Sequence, residues 1–385
     1  MTQNTHAASA IIANAKLILK DEVITGGVVA EDGIITEIFT GTAVPQGAID
    51  CEGDFLAPGL VELHTDNLER HMTPRPGVDW PHTAAIMAHD AEFAGAGVTT
   101  LFDAMRVGSL TGGKSKYKKY ARQMADEILS LRNKNALRIS HYFHLRAEIC
   151  SETLIDEMAE FGPEDRIGIV SIMDHTPGQR QFADLGQMRV YMQGKYSMSD
   201  AEIENHFDLM KSVKAEFGAA NENAAVKNAQ NYGSVIASHD DTTRAHVEQS
   251  TKYGVRLAEF PTTLEAASAC HEAGIAVMMG APNLLRGGSH SGNVAANTLV
   301  EAGVLDILSS DYAPASLLMS AVRLGQETGD MAKGIHTVTR APALATGLSD
   351  RGKIAIGLRA DLARFTVTDI FPAPRGVWVQ GQRVA

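Results

Sequence analysis

The spacing of hydrophobic and polar positions changes along this chain. Near the N-terminus, short apolar runs such as AKLILKD and GIITEIF alternate with polar residues and are separated by Gly26-Gly27 and Asp32-Gly33. Glycine pairs and Asp-Gly between β-rich runs predict hairpin turns. The C-terminus returns to the same texture, with DLARFTV and VWVQGQRVA. We therefore expect a small β-sandwich-like domain that residues 1–57 and 351–385 form together.

Residues 58–350 alternate apolar runs with amphipathic segments. The predicted helices include TAAIMAHDAEFAGA, which carries His89, and DAEIENHFDLMKSVKAEF. About eight strand–helix units in one segment of this length predict an α/β fold, a (β/α)8 TIM-type barrel over residues 58–350. The predicted strands are GLVELH, VTTLFDA, ISHYFHLRAEI, IGIVSIMD, SVIASH, RLAEF, AVMMG and LDILSS.

Five of the apolar runs finish on an acid or a histidine. The segments are LVELHTDN, FHLRAEI, IMDHTPG, IASHDD and ILSSDYAP. Residues two apart on a strand share a face, so His64 can point the same way as Asp66, and His144 the same way as Arg146 and Glu148. In a parallel barrel, residues at successive strand ends gather at one face. The candidate metal ligands at these strand ends are His64, Asp66, His144, Glu148, His175, His239 and Asp311.

Imidazole and carboxylate ligands together suit a divalent ion, and we expect one or two ions, zinc first and manganese or magnesium as alternatives. Such an ion lowers the pKa of bound water, and Asp311 is the predicted proton acceptor. A plainer interpretation makes Asp311 the cap of the following helix, with His175 and His239 as buried structural histidines. Replacing Asp66 should lower metal occupancy or activity, whereas replacing His89, a helix residue, should do neither.

The chain has 385 residues, 21% of them charged, and a net charge of −12. An acidic surface argues against nucleic acid or an anionic membrane as partner, and an anionic substrate would need local cations. Arginine forks bind phosphate oxygens in a bidentate manner, which favours a small phosphorylated substrate. Candidates that follow or end predicted strands are Arg70, Arg75, Arg106, Arg146, Arg180 and Arg286, with His290 and Lys114 on glycine-rich loops.

Other functions fit parts of the sequence. Gly108–Ser115 matches the phosphate-loop pattern G-x4-G-K-S, which predicts a nucleoside triphosphatase of doubly wound fold. A barrel that hydrolyses C–N bonds, as a deacetylase or cyclic amidase does, and a metal-free scaffold barrel are further alternatives. Three cysteines without a CxxC pair and the lack of a signal-like or 18-residue apolar segment predict a cytoplasmic protein. The sequence leaves a homo-oligomer open.

Several segments of the sequence resemble a superfamily, and others resemble one particular family. The segment EDGIITEI…DCEGDFLAPGLVELHTD and the closing ILSSDYAP resemble the amidohydrolase superfamily. The segments HTDNLERHMTPRPG, FHLRAEI, MDHTPGQRQF, EFPTTLEAA and MGAPNLLRGGSHSGN closely resemble the family of α-D-ribose 1-methylphosphonate 5-triphosphate diphosphatases, of the carbon–phosphorus lyase pathway.

The resemblance implies a metal-dependent barrel that hydrolyses this ribosyl triphosphate to the 5-phosphate and pyrophosphate in phosphonate catabolism. It places the paired first-strand ligands at His64 and Asp66, the bridging acid at Glu148, the later histidines at His175 and His239, and the last-strand acid at Asp311. The superfamily usually has His-x-His on its first strand, whereas this chain has His64-Thr65-Asp66.

Overall fold

A computed structural model describes residues 9–111, 119–180, 185–196, 198–289, 292–369 and 371–385. Lys114 and His290, predicted from the sequence to bind phosphate, lie outside these ranges. No helix of the described ranges is both long and apolar enough to span a membrane. All three cysteines are buried and unbridged.

Strands from both chain ends form one eight-stranded sheet, which confirms the predicted pairing of the termini. Its order is β16-β15-β14-β5-β1-β2-β3, with β4 paired to β1. A buried core that includes Ile12, Leu17, Leu56, Leu362 and Trp378 draws on both ends. The strands are β1 Ala10–Ile18, β2 Val23–Glu31, β3 Ile34–Thr40, β4 Ile49–Asp50, β5 Phe55–Pro58, β14 Leu362–Thr368, β15 Phe371–Val379 and β16 Gln382–Arg383.

The two predicted turns of this sheet have different outcomes. Asp32 and Gly33 have positive φ angles of 52° and 82° and join β2 to β3, so this hairpin is confirmed. The Gly26-Gly27 turn is wrong, because both glycines lie inside β2. A Cβ on Gly26 would stand 2.0 Å from the carbonyl oxygen of Phe39, so these glycines permit close strand approach instead of a turn.

The other sheet contains all eight predicted barrel strands, in the order β13-β12-β11-β10-β9-β8-β7-β6. An isolated parallel bridge between Thr65 and Asp311 links the first of these strands to the end of the last. Nearly every residue of the strands Leu60–Thr65 and Val98–Val107 is buried, as expected for a parallel sheet covered on both faces. The strands are β6 Leu60–Thr65, β7 Val98–Val107, β8 Ser140–Glu148, β9 Ile167–Met173, β10 Val235–His239, β11 Leu257–Glu259, β12 Ala276–Gly280 and β13 Ile307–Ser309.

Helices follow the barrel strands, and one is longer than predicted. The helix predicted over residues 200–217 continues to Tyr232, beginning at a Ser199–Glu202 capping box and ending at left-handed Gly233. The helices are α1 Asn67–Met72, α2 His82–Gly95, α3 Ala121–Asn133, α4 Leu154–Met158, α5 Leu185–Tyr196, α6 Asp200–Tyr232, α7 Arg244–Lys252, α8 Leu264–Glu272, α9 Ala281–Arg286, α10 Ala296–Glu301, α11 Ser316–Thr328, α12 Met331–His336 and α13 Arg340–Ala345.

The chain falls into two compact units. The first contains residues up to 103, 130–141 and 307–385, and the second contains 104–129 and 142–306. The division into a terminal domain and a barrel domain, with limits at 57 and 351, stays a prediction.

Candidate metal centre

Three predicted ligands of the first unit lie at the carboxyl ends of strands β6 and β13. His64 is buried near the end of β6, and half-buried Asp66 directly precedes α1. Asp311 follows β13 by two residues and has a left-handed backbone with φ of 53°. Thr65 Oγ1 donates a hydrogen bond of 2.8 Å to the Asp311 carbonyl oxygen. This contact ties the turn that carries Asp66 to the backbone of Asp311, 246 residues further along the chain.

A buried carboxylate supports the same strand ends. Glu62 accepts hydrogen bonds from the Ser309 hydroxyl at 2.6 Å, the Ser310 amide at 2.6 Å and the His64 amide at 2.8 Å. Burial raises the pKa of Glu62, although these donors act in the opposite direction. Helix α11 is preceded by Ala315, so the plainer interpretation of Asp311 as the cap of that helix is wrong.

In the second unit, Glu148 ends β8, and His175 follows β9 by two residues. These barrel strands are third and fourth, as the sequence predicted. His175 Nδ1 contacts Glu148 Oε2, and the ring centroids of His175 and His239 lie 5.9 Å apart. Burial lowers the pKa of His175, but the Glu148 carboxylate outweighs burial and the net change is upward.

Three side chains of this unit can hold an ion. One ligand atom each from His175, His239 and Asp240 lies within 4.8 Å of the others. His239 Nε2 is 3.2 Å from Asp240 Oδ2. Two imidazoles and a carboxylate suit a borderline divalent ion such as zinc. Sequence reasoning missed Asp240, although the acidic pair after His239 in SHDD was a signal.

Glu259 is a second residue that sequence reasoning missed. It ends strand β11 and is fully buried, and its Oε2 lies 3.0 Å from His239 Nδ1. The Ser171 hydroxyl donates to the same oxygen at 2.8 Å, and His144 Nε2 lies 3.3 Å from Oε1. A carboxylate on one nitrogen of a histidine fixes the ring and leaves the other nitrogen for a metal. A glutamate that ends a buried strand was the available signal.

The predicted phosphate-binding arginines lie in different environments. Arg146, on β8, is half-buried, and its Nε donates to the sulfur of Met173 at 3.4 Å. Arg180 Nη1 donates to Asp241 Oδ1 at 2.7 Å and to the His239 carbonyl at 2.6 Å. The remaining positions are half-buried Arg106 on β7, exposed Arg75 after α1, exposed Arg286 at the end of α9, and Arg70, which is paired with Glu92 at 2.8 Å.

The phosphate-loop alternative is wrong for this chain. The parallel sheet is a barrel and not a doubly wound open sheet. The Gly108 amide and the Ser109 hydroxyl donate to the Glu157 carboxylate, at 3.0 and 2.7 Å, where a phosphate loop would offer its donors to phosphate. Residues 112–115 of the motif lie outside the described ranges.

A family model and a protein of known activity both match most of this chain. Residues 91–385 match the amidohydrolase family. The α-D-ribose 1-methylphosphonate 5-triphosphate diphosphatase of Escherichia coli (strain K12) is 41% identical over 377 residues, which cover 97% of this chain and 100% of that protein.

Solved structures with much lower identity share the fold. An N-acetyl-D-glucosamine-6-phosphate deacetylase mutant from Mycobacterium smegmatis is 14% identical, with a TM-score of 0.62 over 98% of this chain and 99% of its own. Dihydropyrimidinase from Brevibacillus agri NCHU1002 is 12% identical, with a TM-score of 0.61 over 97% of this chain and 94% of its own.

Proposed function

This chain belongs to the amidohydrolase family, and from that premise we propose that it hydrolyses α-D-ribose 1-methylphosphonate 5-triphosphate to the 5-phosphate and pyrophosphate. The observation that carries this function is the 41% identity to the Escherichia coli diphosphatase over nearly all of both chains. The protein is a hydrolase that acts on an acid anhydride. The dihydropyrimidinase and the deacetylase share its fold at 12% and 14% identity, which supports the barrel and not their chemistry.

We propose the ligand set predicted from the sequence, which is His64, Asp66, Glu148, His175, His239 and Asp311. All six lie at, or within two residues of, the carboxyl ends of parallel barrel strands. Such ends form the active face of a barrel. The cluster of His175, His239 and Asp240 supports a divalent ion at this face, and zinc or manganese suits its donors better than magnesium does.

A bound ion would supply a water of lowered pKa and positive charge near the phosphate oxygens. We assign the role of proton acceptor for the attacking water to the Asp311 carboxylate. The Thr65 hydroxyl holds the backbone carbonyl of that residue. Water attacks the α-phosphorus, the bond from that phosphorus to the bridging oxygen breaks, and pyrophosphate leaves with the electron pair. Arg146 lies two residues before Glu148 on β8, so alternation places it on the same face, where it can bind phosphate oxygens.

The other predicted phosphate contacts are Arg75, Arg106, Arg180 and Arg286, with Lys114 and His290. Arg180 already binds Asp241, so a phosphate contact would have to share its guanidinium. The free cysteines support a cytoplasmic location.

The test is hydrolysis of the ribosyl triphosphate, and of ATP for comparison, by purified protein in heavy-oxygen water. Phosphorus NMR should detect pyrophosphate, and mass spectrometry should find the label in the ribosyl monophosphate. Label found only in pyrophosphate would mean attack at the β-phosphorus. Release of inorganic phosphate alone, or hydrolysis of amides without turnover of the triphosphate, would contradict the proposed reaction.

A further inference from the structure

Five buried polar side chains of the first unit contact one another in series, starting from Asn67, the residue after Asp66. Asn67 Nδ2 lies 3.2 Å from His89 Nδ1, and His89 Nε2 lies 2.9 Å from Asp103 Oδ1. His141 Nδ1 lies 2.8 Å from Asp103 Oδ2, and its Nε2 lies 3.3 Å from Asp90 Oδ1. None of these five residues is more than 2% exposed. We call them the buried polar chain.

The donors and acceptors of the buried polar chain allow one arrangement of protons. An amide nitrogen only donates, so His89 Nδ1 must accept, and the His89 proton lies on Nε2 and points at Asp103. Burial lowers the pKa of His89, which keeps this ring neutral. Both nitrogens of His141 face carboxylates and both donate, so that ring carries a positive charge.

Asn67 connects the buried polar chain to the proposed active face. It directly follows Asp66, and its backbone amide donates to Thr65 Oγ1 at 3.1 Å. Thr65 in turn holds the carbonyl of Asp311. The second proton of the Asn67 side-chain amide goes to Glu92 Oε2 at 2.9 Å. Because each of the two amide protons points at an acceptor, the side-chain amide of Asn67 has a fixed orientation.

The oxygen of that amide is a buried acceptor with no hydrogen-bond partner in the described part of the chain. A buried acceptor without a donor is costly, and such groups in native proteins need an explanation. A donor that arrives with the ligand, such as a water molecule or a substrate hydroxyl, would satisfy it. This observation is independent of the hydrogen bonds within the buried polar chain.

We propose that His89 is a positioning residue for the hydrolytic reaction: it accepts the Asn67 amide, so that the turn of residues 65–67 presents Asp66 in one orientation. The proposal rests on the proposed function in two ways: it takes Asp66 as a metal ligand, and it uses turnover as one readout. It revises the expectation that replacing a helix histidine at this position changes neither metal occupancy nor activity. His89 touches neither substrate nor metal and acts through Asn67.

Three substitutions distinguish the acceptor role of His89 Nδ1 from the donor role of His89 Nε2. His89→Asn places an acceptor near the Nδ1 position, so it keeps the bond from Asn67 and loses the donor to Asp103. His89→Gln reaches the Nε2 position and keeps the donor to Asp103, but it loses the acceptor. His89→Phe keeps an aromatic ring but loses both the acceptor and the donor. The buried His206 on α6, whose pKa is lowered by burial, gives the matched control His206→Phe.

We expect kcat to fall tenfold or more in His89→Gln and His89→Phe, while His89→Asn stays within a few-fold of the wild type and KM changes little in all three. Manganese or zinc affinity of the metal-stripped protein should follow the same order. The visible absorption of the cobalt-loaded protein should change shape in the first two variants only. His206→Phe should lower Tm and leave kcat, metal affinity and the cobalt spectrum unchanged.

If kcat and metal affinity simply follow Tm across all four variants, the role of His89 is structural and the proposal is wrong. It is also wrong if His89→Asn loses as much kcat and metal affinity as His89→Phe. If the wild type does not turn over the ribosyl triphosphate, metal affinity and the cobalt spectrum still decide the role of His89. Failure of the proposed function is therefore distinguishable from failure of this inference.

Discussion

The charged histidine of the buried polar chain should make stability fall as the pH rises from neutral to alkaline. His141 is nearly inaccessible to solvent and lies between Asp103 and Asp90. Burial lowers its pKa, but the two carboxylates outweigh burial and raise the pKa from 6.5 to about 9. The raised folded-state pKa means that the stabilisation is fully present below the unfolded pKa of 6.5. It is lost as the pH rises through about 9.

The size of this loss follows from the same shift. One pKa unit corresponds to about 1.4 kcal/mol, so a rise from 6.5 to about 9 gives on the order of 3 kcal/mol in the free energy of unfolding. The low pKa of Asp103, about 2, arises largely from the same attraction and is not added. Arg138 also contacts Asp90 at 3.2 Å, and its side chain is 41% exposed.

The assay is denaturant unfolding of the metal-stripped protein at several pH values between 6 and 9.5, in the wild type and in His141→Gln. The neutral amide cannot titrate, so its stability should be lower at pH 6 and should depend much less on pH. Subtracting the two curves removes the contribution of every other group. NMR of protein with isotope-labelled histidine should show the His141 ring titrating near pH 9. Parallel curves for the two proteins, or a His141 ring that titrates near 6.5, would refute the assignment of a charged ring.

Three further outcomes test the proposed metal centre. Asp311→Asn should lower kcat about 100-fold or more with little change in KM, because an amide cannot accept the proton, and a loss confined to KM would contradict that role. Dialysis against a chelator should abolish turnover, with recovery on adding zinc or manganese, and full activity without bound metal would rule out metal dependence. Glu259→Gln should weaken metal binding by about 10–100-fold, since a neutral amide polarises and orients His239 less than a carboxylate does. An unchanged metal dissociation constant would show that Glu259 has no such influence.

Much of the fold was predictable from local spacing along the chain. All eight barrel strands were predictable, because a strand buried on both faces is a short apolar run bounded by polar residues. The Asp32-Gly33 hairpin was predictable because few other residues accept positive φ at both positions. Strand-end residues such as Glu148 and His239 could be identified as candidate ligands, because the carboxyl ends of the strands of a barrel meet at one face. The function came from longer segments, whose resemblance to a known family agrees with the 41% identity found over the chain.

Tertiary structure decided what those residues contact. Gly26 lies in a strand, where the missing side chain leaves room for the backbone of Phe39 on the neighbouring strand, and spacing alone does not reveal that contact. His89 falls on a helix, as its spacing indicates, but its two nitrogens are committed to Asn67 and Asp103, from two other elements. Thr65 holds a carbonyl 246 residues away. Periodicity indicates which face of an element is buried, whereas hydrogen-bond partners depend on which elements pack together. The hydrogen bonds that hold the proposed ligands in place could therefore be identified only in the folded chain.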